Sequence, residues 1–295
     1  MGILFIVNPV AGKGKALDIV PNVERICKQY NCSYDMRYTE GPRDAEKIAR
    51  EAEKQDYERI IVIAGDGTLN EAINGLEDMK AAVGVIPGGS GNDFLRTINP
   101  HTDIDEIIYD NIFGDIIEVD LAACNNRKYV NIASVGLDAE IVGGLPAMKK
   151  FFSGSQAYFA SVIKTLFTYS GQKMHISIDG KEIEKEVLLS AIANGKYYGG
   201  GIMPAPDADI QDKLLDVCIV DKFPLIKEFM LLPRYMKGRH KGLDGVSFKR
   251  GKRIEISSPK MMTVNFDGEV FRDNKVTFEL LDKPIRIIVP RKKNV

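Results

Sequence analysis

Three glycine-bearing segments of this 295-residue chain carry the residue types of a phosphate site. The first is Gly65-Asp66-Gly67-Thr68-Leu69-Asn70-Glu71, directly after the strand-like run from Arg59 to Ala64. Glycines behind a buried strand let the backbone approach a bulky anion, and a helix starting there offers its unpaired first amides. Asp66 cannot favour a phosphate directly; it suits Mg²⁺, or a water on Mg²⁺, held against a triphosphate. Thr68 and Glu71 also spell a T-x-x-E capping box, so a purely structural turn stays open at this point. The second segment, Pro87-Gly88-Gly89-Ser90-Gly91-Asn92-Asp93-Phe94, again leaves an apolar run and leads into a helix. Two such loops at one end of a parallel sheet converge on one crevice. The third, Asn8-Pro9-Val10-Ala11-Gly12-Lys13-Gly14-Lys15, leaves the first apolar run. None of them completes G-x-x-x-x-G-K-[ST] or G-x-G-x-x-G ahead of a helix, so the site is of neither the Walker nor the common dinucleotide kind. Lys13 and Lys15 suit either a nearby nucleotide or plain solvation.

The second half holds two further candidates. Asp207, Asp209, Asp212 and Asp216 lie close together in sequence. Such an oxygen cluster suits Mg²⁺ or Ca²⁺, and equally a solvated acidic turn. Asn265-Phe266-Asp267-Gly268-Glu269 reads as a hairpin, because Asp-Gly between apolar runs is a turn signal. On that reading alone Glu269 is an exposed strand carboxylate. His101, His175 and His240 have no partner at ligand spacing, and Cys27, Cys32, Cys124 and Cys218 fit no zinc or redox spacing.

The elements that must position these residues change character along the chain. Ile3 to Val7, Ser33 to Tyr38, Arg59 to Ala64 and Ala82 to Ile86 read as strands, and Ala16 to Tyr30, Asp44 to Glu53 and Leu69 to Leu76 as helices. Alternation of this kind predicts an α/β domain with a parallel sheet over residues 1–115. Beyond it strands dominate: Ile116 to Ala123, Tyr129 to Val135, Met174 to Ile178, Val187 to Ala193, Leu214 to Val220, Arg253 to Ser257, Met262 to Phe266, Val276 to Leu281 and Ile285 to Val289. Helices are expected at Gln156 to Thr168 and Pro224 to Met236. This texture predicts an antiparallel β-sandwich over 116–285, with 286–295 free to pack back on the first domain and the ligand in the cleft between the two.

A net charge of −1 gives no global pull towards nucleic acid or anionic membrane, so no nucleic-acid partner is expected. No apolar run approaches the ~20 residues of a membrane span, and the start lacks the basic stretch of a signal peptide. A cytoplasmic chain is expected, touching membrane only through local patches. Phe229 to Lys241 mixes basic and apolar residues as an interfacial helix does, with Phe151-Phe152, Tyr158-Phe159 and the basic Arg291-Lys292-Lys293 as further candidates; helices packed on the β-sandwich are the other reading.

Taken together, Asn8-Pro9-x-Ala11-Gly12, Gly65-Asp66-Gly67-Thr68-Leu69-Asn70-Glu71 and Gly89-Ser90-Gly91-Asn92-Asp93 resemble the diacylglycerol kinase catalytic family. More narrowly they are similar to its soluble bacterial lipid kinases, relatives of the sphingosine and ceramide kinases. The likeness runs on through Val119-Asp120-Leu121, Asn131, Gly136 to Glu140, Gly199 to Gly201, Pro204, Pro206 to Ala208, Asp212 to Asp216 and Asp267-Gly268-Glu269. It implies ATP and Mg²⁺ as cofactors, with ATP contacts at Asn8, Pro9, Val10, Ala11, Gly12, Thr39, Gly65, Asp66, Gly67, Thr68, Leu69, Asn70, Glu71 and Ser90. It implies Glu269 as general base, with Asp66 assisting catalysis. It implies a Mg²⁺ site in the second domain at Asp209, Asp212 and the carbonyl of Leu214. Ala64 and Lys213 stand where the family usually has Gly, and Ser90 where it often has Thr. The expected activity is transfer of the ATP γ-phosphate to a lipid hydroxyl, most simply diacylglycerol or a relative such as phosphatidylglycerol, at the inner membrane face. A homodimer stays open. So do a soluble-metabolite kinase of the NAD kinase type and a non-catalytic nucleotide-binding regulator.

Overall fold

The computed structural model describes residues 2–148 and 155–291, with backbone alone for 155–159. Phe151, Phe152, Lys292 and Lys293, and the side chains of Tyr158 and Phe159, lie outside the described residues. In chain order the elements are β1 (Ile3–Val7), α1 (Lys15–Gln29), β2 (Asp35–Tyr38), α2 (Asp44–Lys54), β3 (Arg59–Ala64), α3 (Asp66–Gly75), β4 (Ala82–Pro87), α4 (Asp93–Ile98), α5 (Ile104–Phe113) and β5 (Asp115–Val119). There follow β6 (Ala122–Cys124), β7 (Arg127–Tyr129), β8 (Ile132–Gly136), α6 (Leu137–Met148), α7 (Ser155–Thr168), β9 (Gln172–Ile178), β10 (Lys181–Ala193) and β11 (Leu215–Asp221). The chain closes with α8 (Leu225–Met236), β12 (Val246–Gly251), β13 (Arg253–Phe266), β14 (Glu269–Leu280) and β15 (Ile285–Val289). It divides into two compact units, Met1–Leu121 with Asp282–Val295, and Ala122–Leu281.

The first unit is the expected α/β domain. Every residue of β1 and β3 is buried, as unbroken apolar runs require when helices cover both faces of a sheet. The sheet order is β2-β1-β3-β4-β15-β5. Pairing is parallel from β2 through β15, and only β5 runs antiparallel, against β15. Helix α1 covers the sheet through Ile19, Val23, Ile26 and Cys27, the spacing visible in the sequence. The buried guanidinium of Arg59 donates to the carbonyls of Asn111 and Gly114, which fixes the end of α5.

The second unit is the expected antiparallel β domain. Among the described residues it carries a nine-stranded sheet in the order β12-β11-β10-β8-β13-β14-β6-β7, with β9 bridging β10 and β13. The long strands β10 and β13 pair with β9 along their first halves and with β8 along their second. That change of partner lets the sheet close over a core made of strand residues alone, among them Tyr129, Met174, Ile192, Leu215, Val264 and Phe278. A second cluster lies on the other side of β8, β10 and β11, where Leu137 and Ile141 of α6, Val162 and Leu166 of α7, and Leu231 and Tyr235 of α8 pack.

Two sequence expectations need correction here. The run Ile116 to Ala123 is two strands, β5 and β6, in different sheets. Arg253 to Ser257 and Met262 to Phe266 are one strand, β13, with an irregularity in register between Ser257 and Met262. Pro259 lacks the amide a regular ladder needs, and the strand bulges there instead of ending.

Candidate functional site

In the first unit β1, β3 and β4 end side by side, and each runs into one of the glycine-bearing segments. The segments interlock through their glycines. A methyl group on Gly12 would lie 2.3 Å from the carbonyl oxygen of Gly88, and one on Gly89 would lie 2.4 Å from the Cα of Gly65. Any side chain there would push the three loops apart, so their contact depends on bare backbone. Gly12, Lys13 and Gly14 all have positive φ (58°, 63° and 96°), which coils the first loop into one tight turn before α1. Asn8 joins the loops: its amide donates to Ile63 O at 3.2 Å, and its side chain donates to Thr68 Oγ1 at 2.9 Å.

Helix α3 begins at Asp66, and Gly65 occupies the N-cap without a side-chain hydrogen bond. Thr68 therefore sits inside the first turn, bonded to Asn8, and the capping-box reading of Thr68 and Glu71 falls. The first amides of α3 precede its opening bond, Leu69 N to Gly65 O, and point out of the helix end beside the interlocked glycines. This is the geometry of an anion site. The second loop is held by Asn92, which accepts from Gly89 N and donates to Gly89 O, each at 3.1 Å. Ser90 is exposed beside it.

Asp66 Oδ1 accepts from the amide of Phe94 at 3.2 Å. A methyl on Gly91 would lie 2.9 Å from Asp66 Oδ2 and 3.2 Å from Asp93 Oδ2. Two carboxylates thus reach one small space at the loop ends, with Asp93 Oδ1 also 3.7 Å from Arg96 Nε, and their Oδ2 atoms are of the kind a hard dication takes. Asp93 is buried, and the sequence reading assigned it no role of its own. Its only sequence signal was its place at the end of the second glycine loop.

The other expected nucleotide residues divide. Thr39 follows β2, its amide bonded to Val7 O at 2.9 Å, so it joins the same sheet end. Val10 and Ala11 lie in the first loop, with Val10 exposed. Leu69 and Asn70 turn inwards: both are buried, and Asn70 accepts from Asn74 one turn on. Glu71 is half-buried on α3.

In the second unit Glu269 opens β14 after the two-residue turn Asp267-Gly268, both at positive φ (45° and 95°) as a tight hairpin demands. Asp267 fixes that turn. Its carboxylate accepts from the amides of Val130, Asn131 and Ile132 at 2.9, 3.3 and 3.0 Å. Glu269 Oε1 accepts from Arg127 Nη2 at 3.0 Å, and both side chains keep partial access to solvent. Neither partnership was visible in sequence, since the residues lie far apart along the chain. Directly after Glu269, Val270, Phe271 and Arg272 line a cavity of about 620 Å³ together with α6 and α7. Arg272 donates to Thr263 Oγ1 at 3.2 Å and pairs with Glu140 at 3.3 Å inside it.

Two basic residues from elsewhere in the chain, Arg250 and Lys241, pair with the acidic loop. Arg250 pairs with Asp212 Oδ2 at 3.1 Å and Asp216 Oδ1 at 2.9 Å, and it donates to the carbonyl of Asp207 at 3.2 Å. Asp207 also pairs with Lys241. Asp209 Oδ1 and Asp212 Oδ1 accept from the amides of Gln211 and Leu214 at 3.0 and 3.1 Å. Both oxygens of Asp212 are therefore engaged. Among the described residues no cluster of three or more His, Cys, Asp or Glu has metal-binding geometry.

The candidate interfacial helix is divided between core and surface. Leu231 and Tyr235 of α8 are buried, and His240 is fully buried with its Nε2 3.0 Å from Pro204 O. Ile226 (77% exposed) and Met230 (70%), one turn apart on α8, and Phe167 of α7 (65%), whose ring packs on Phe229 of α8, are exposed apolar side chains. No described helix is long and apolar enough to cross a membrane.

An α/β unit with interlocked phosphate-type loops is continued by an antiparallel β unit, and each unit matches a domain of one two-domain family. Residues 2–124 match the model of the diacylglycerol kinase catalytic domain, and residues 131–289 that of the YegS C-terminal NAD kinase β-sandwich-like domain. The chain belongs to this diacylglycerol kinase and YegS-like family of lipid kinases. It is 29% identical to the diacylglycerol kinase of Staphylococcus carnosus (strain TM300), with 97% of this chain and 94% of the relative covered. It is 28% identical to that of Bacillus subtilis (strain 168), covering 98% and 96%. A crystal structure of a diacylglycerol kinase from Bacillus anthracis (strain Sterne) superposes with a TM-score of 0.73 at 23% identity, covering 98% and 96% of the two chains, a likeness of fold.

Proposed function

We propose that this chain transfers the γ-phosphate of ATP to the hydroxyl of a membrane lipid, diacylglycerol or a relative such as phosphatidylglycerol. The observation that carries this reading is the interlock of Gly12 with Gly88 and of Gly65 with Gly89 around the first amides of α3. Bare backbone of this kind suits a triphosphate, and the matched catalytic domain supports the kinase assignment. We assign Asp66 and Asp93 to hold Mg²⁺, whose charge offsets that of the phosphates. Glu269 accepts the hydroxyl proton as the lipid oxygen bonds to the γ-phosphorus and ADP departs. Arg127 and the Asp267 turn keep that carboxylate in one orientation. The cavity behind Val270 is assigned to the acceptor lipid.

Ile226, Met230 and Phe167 are assigned to transient contact with the inner face of a membrane, flanked by Lys227 and Arg234. A chain acting there works from the cytoplasm. The test is transfer of labelled phosphate from ATP to vesicles of diacylglycerol in phosphatidylglycerol, to phosphatidylglycerol alone, and to NAD. Labelled lipid is expected. Label on NAD alone, or ATP binding without transfer to any acceptor, overturns the proposal. Ile226→Glu with Met230→Glu should lower transfer to vesicles and leave transfer to detergent-dispersed lipid unchanged.

A further inference from the structure

We infer that in this chain the guanidinium of Arg250 does the work expected of a second-domain metal ion, tying the acidic loop together without one. The loop from Asp207 to Asp216 brings four carboxylates onto one short stretch; Lys241 pairs with Asp207 alone, so the rest of the loop needs a further positive group. Arg250 reaches three points of it: Asp212 Oδ2, Asp216 Oδ1 and the carbonyl of Asp207, at 3.1, 2.9 and 3.2 Å. These are one point near the loop's start, one in its middle and one where it enters β11. A planar guanidinium can meet three such acceptors at once, which an ammonium does less well.

The position of Arg250 is not accidental. It lies on β12, directly opposite Asp216 of β11 in the antiparallel register. The ladder itself delivers the guanidinium to the loop. Asp216 is buried, and burial raises its carboxyl above the ordinary value while Arg250 pulls the other way.

The remaining geometry argues against a dication in the same place. Asp212 offers one oxygen to the amide of Leu214 and the other to Arg250. A Mg²⁺ on Asp212 would sit against a fixed guanidinium on the same carboxylate, and Mg²⁺ tolerates little departure from octahedral oxygen geometry. Lys213 takes φ 60°, a left-handed conformation that a non-glycine residue adopts at a cost. That turn presents the Leu214 amide to Asp212, so the loop keeps a tight metal-loop shape while Arg250 supplies the counter-charge.

This inference concerns the order of the loop and stands apart from the identity of the acceptor. The test is thermal melting of the full chain without nucleotide, in EDTA and in millimolar Mg²⁺ or Ca²⁺. Four proteins are compared: the unaltered chain, Asp66→Asn, Arg250→Lys and Arg250→Ala. Any response of the unaltered chain to Mg²⁺ or Ca²⁺ should vanish in Asp66→Asn, which removes the first-unit carboxylate, and melting should then be the same in all three solutions. Arg250→Ala should melt lower in EDTA and recover with Mg²⁺ or Ca²⁺, because removing the guanidinium leaves the carboxylates open to a dication. Arg250→Lys should fall between the two. A drop in melting temperature on adding EDTA, reversed by Mg²⁺ and still present in Asp66→Asn, overturns the inference. So does an Arg250→Ala variant that melts like the unaltered chain in EDTA. If Arg250→Ala does not fold, limited proteolysis of the unaltered chain decides: cleavage within residues 207–216 that Mg²⁺ suppresses overturns it, and equal protection in EDTA and Mg²⁺ upholds it.

Discussion

Glu269 combines a short-range anchor with a long-range one, and both bear on what its replacement should do. The turn before it is clamped by Asp267 on three amides, and its own carboxylate rests on Arg127. Glu269→Gln keeps the shape and removes the base. Lipid phosphorylation should fall by about 10²–10⁴-fold with ATP affinity nearly unchanged, as read by turnover and by nucleotide titration. Arg127→Met should lower turnover more than it weakens ATP binding, and Arg127→Lys should restore part of the loss; equal turnover in all three would remove Arg127 from the site. A different residue, Asp138, gives stability a dependence on pH. Burial raises the Asp138 carboxyl to about 6, although Tyr198 Oη and the Ala139 amide donate to it at 2.8 and 2.9 Å. A carboxyl raised on folding holds its proton more tightly in the folded chain. Its contribution to stability is therefore full below the unfolded value near 3.8 and is lost as pH rises through about 6. Asp138→Asn should flatten that part of the melting-temperature profile between pH 4 and 7.5. Parallel profiles for the two proteins would show that Asp138 does not titrate there.

At the scale of elements, the glycine loops show what local sequence can and cannot say. The strands before them were legible because unbroken runs such as Ile60 to Ala64 have no polar face to offer solvent. The start of α3 was misread by three residues, because Thr68 and Glu71 mimic a capping box. The true helix starts at Asp66, whose carboxylate near the helix N-terminus favours the macrodipole and is held by Phe94 N of the neighbouring loop. Contact between loops that are distant in sequence decided the matter. The same contact makes a prediction. Gly89→Ala places a methyl 2.4 Å from the Cα of Gly65, where only backbone can yield. It should cost about 1–3 kcal/mol of stability and weaken ATP binding, measured by melting and by nucleotide titration. Gly180→Ala meets nothing within 4 Å but has φ 81°, so any loss there should be confined to stability.

At the scale of the whole molecule, the last strand shows how far topology departs from chain order. Ile285–Val289 lies at the far end of the chain, yet it pairs with β4 and β5 and completes the first sheet. Its Ile285, Ile287 and Ile288 are buried, at about 1.5–3 kcal/mol each. Ending the chain at Leu281 should therefore abolish cooperative unfolding of the first unit and nucleotide binding with it, read by calorimetry and titration. Persistence of both would show that β15 is dispensable. The amino-acid order alone determined which stretches are buried strands, which faces of helices are apolar, and where glycine leaves room for an anion. Each of these follows from side-chain periodicity or from the absence of a Cβ, and each is a property of a few neighbouring residues. Only the tertiary structure decided that Asn8 meets Thr68, that Asp93 joins Asp66, that Arg127 holds Glu269, and that Arg250 rather than a neighbouring residue faces the acidic loop. These contacts join residues far apart in the chain. Such contacts arise from sheet order and register, which no local pattern encodes.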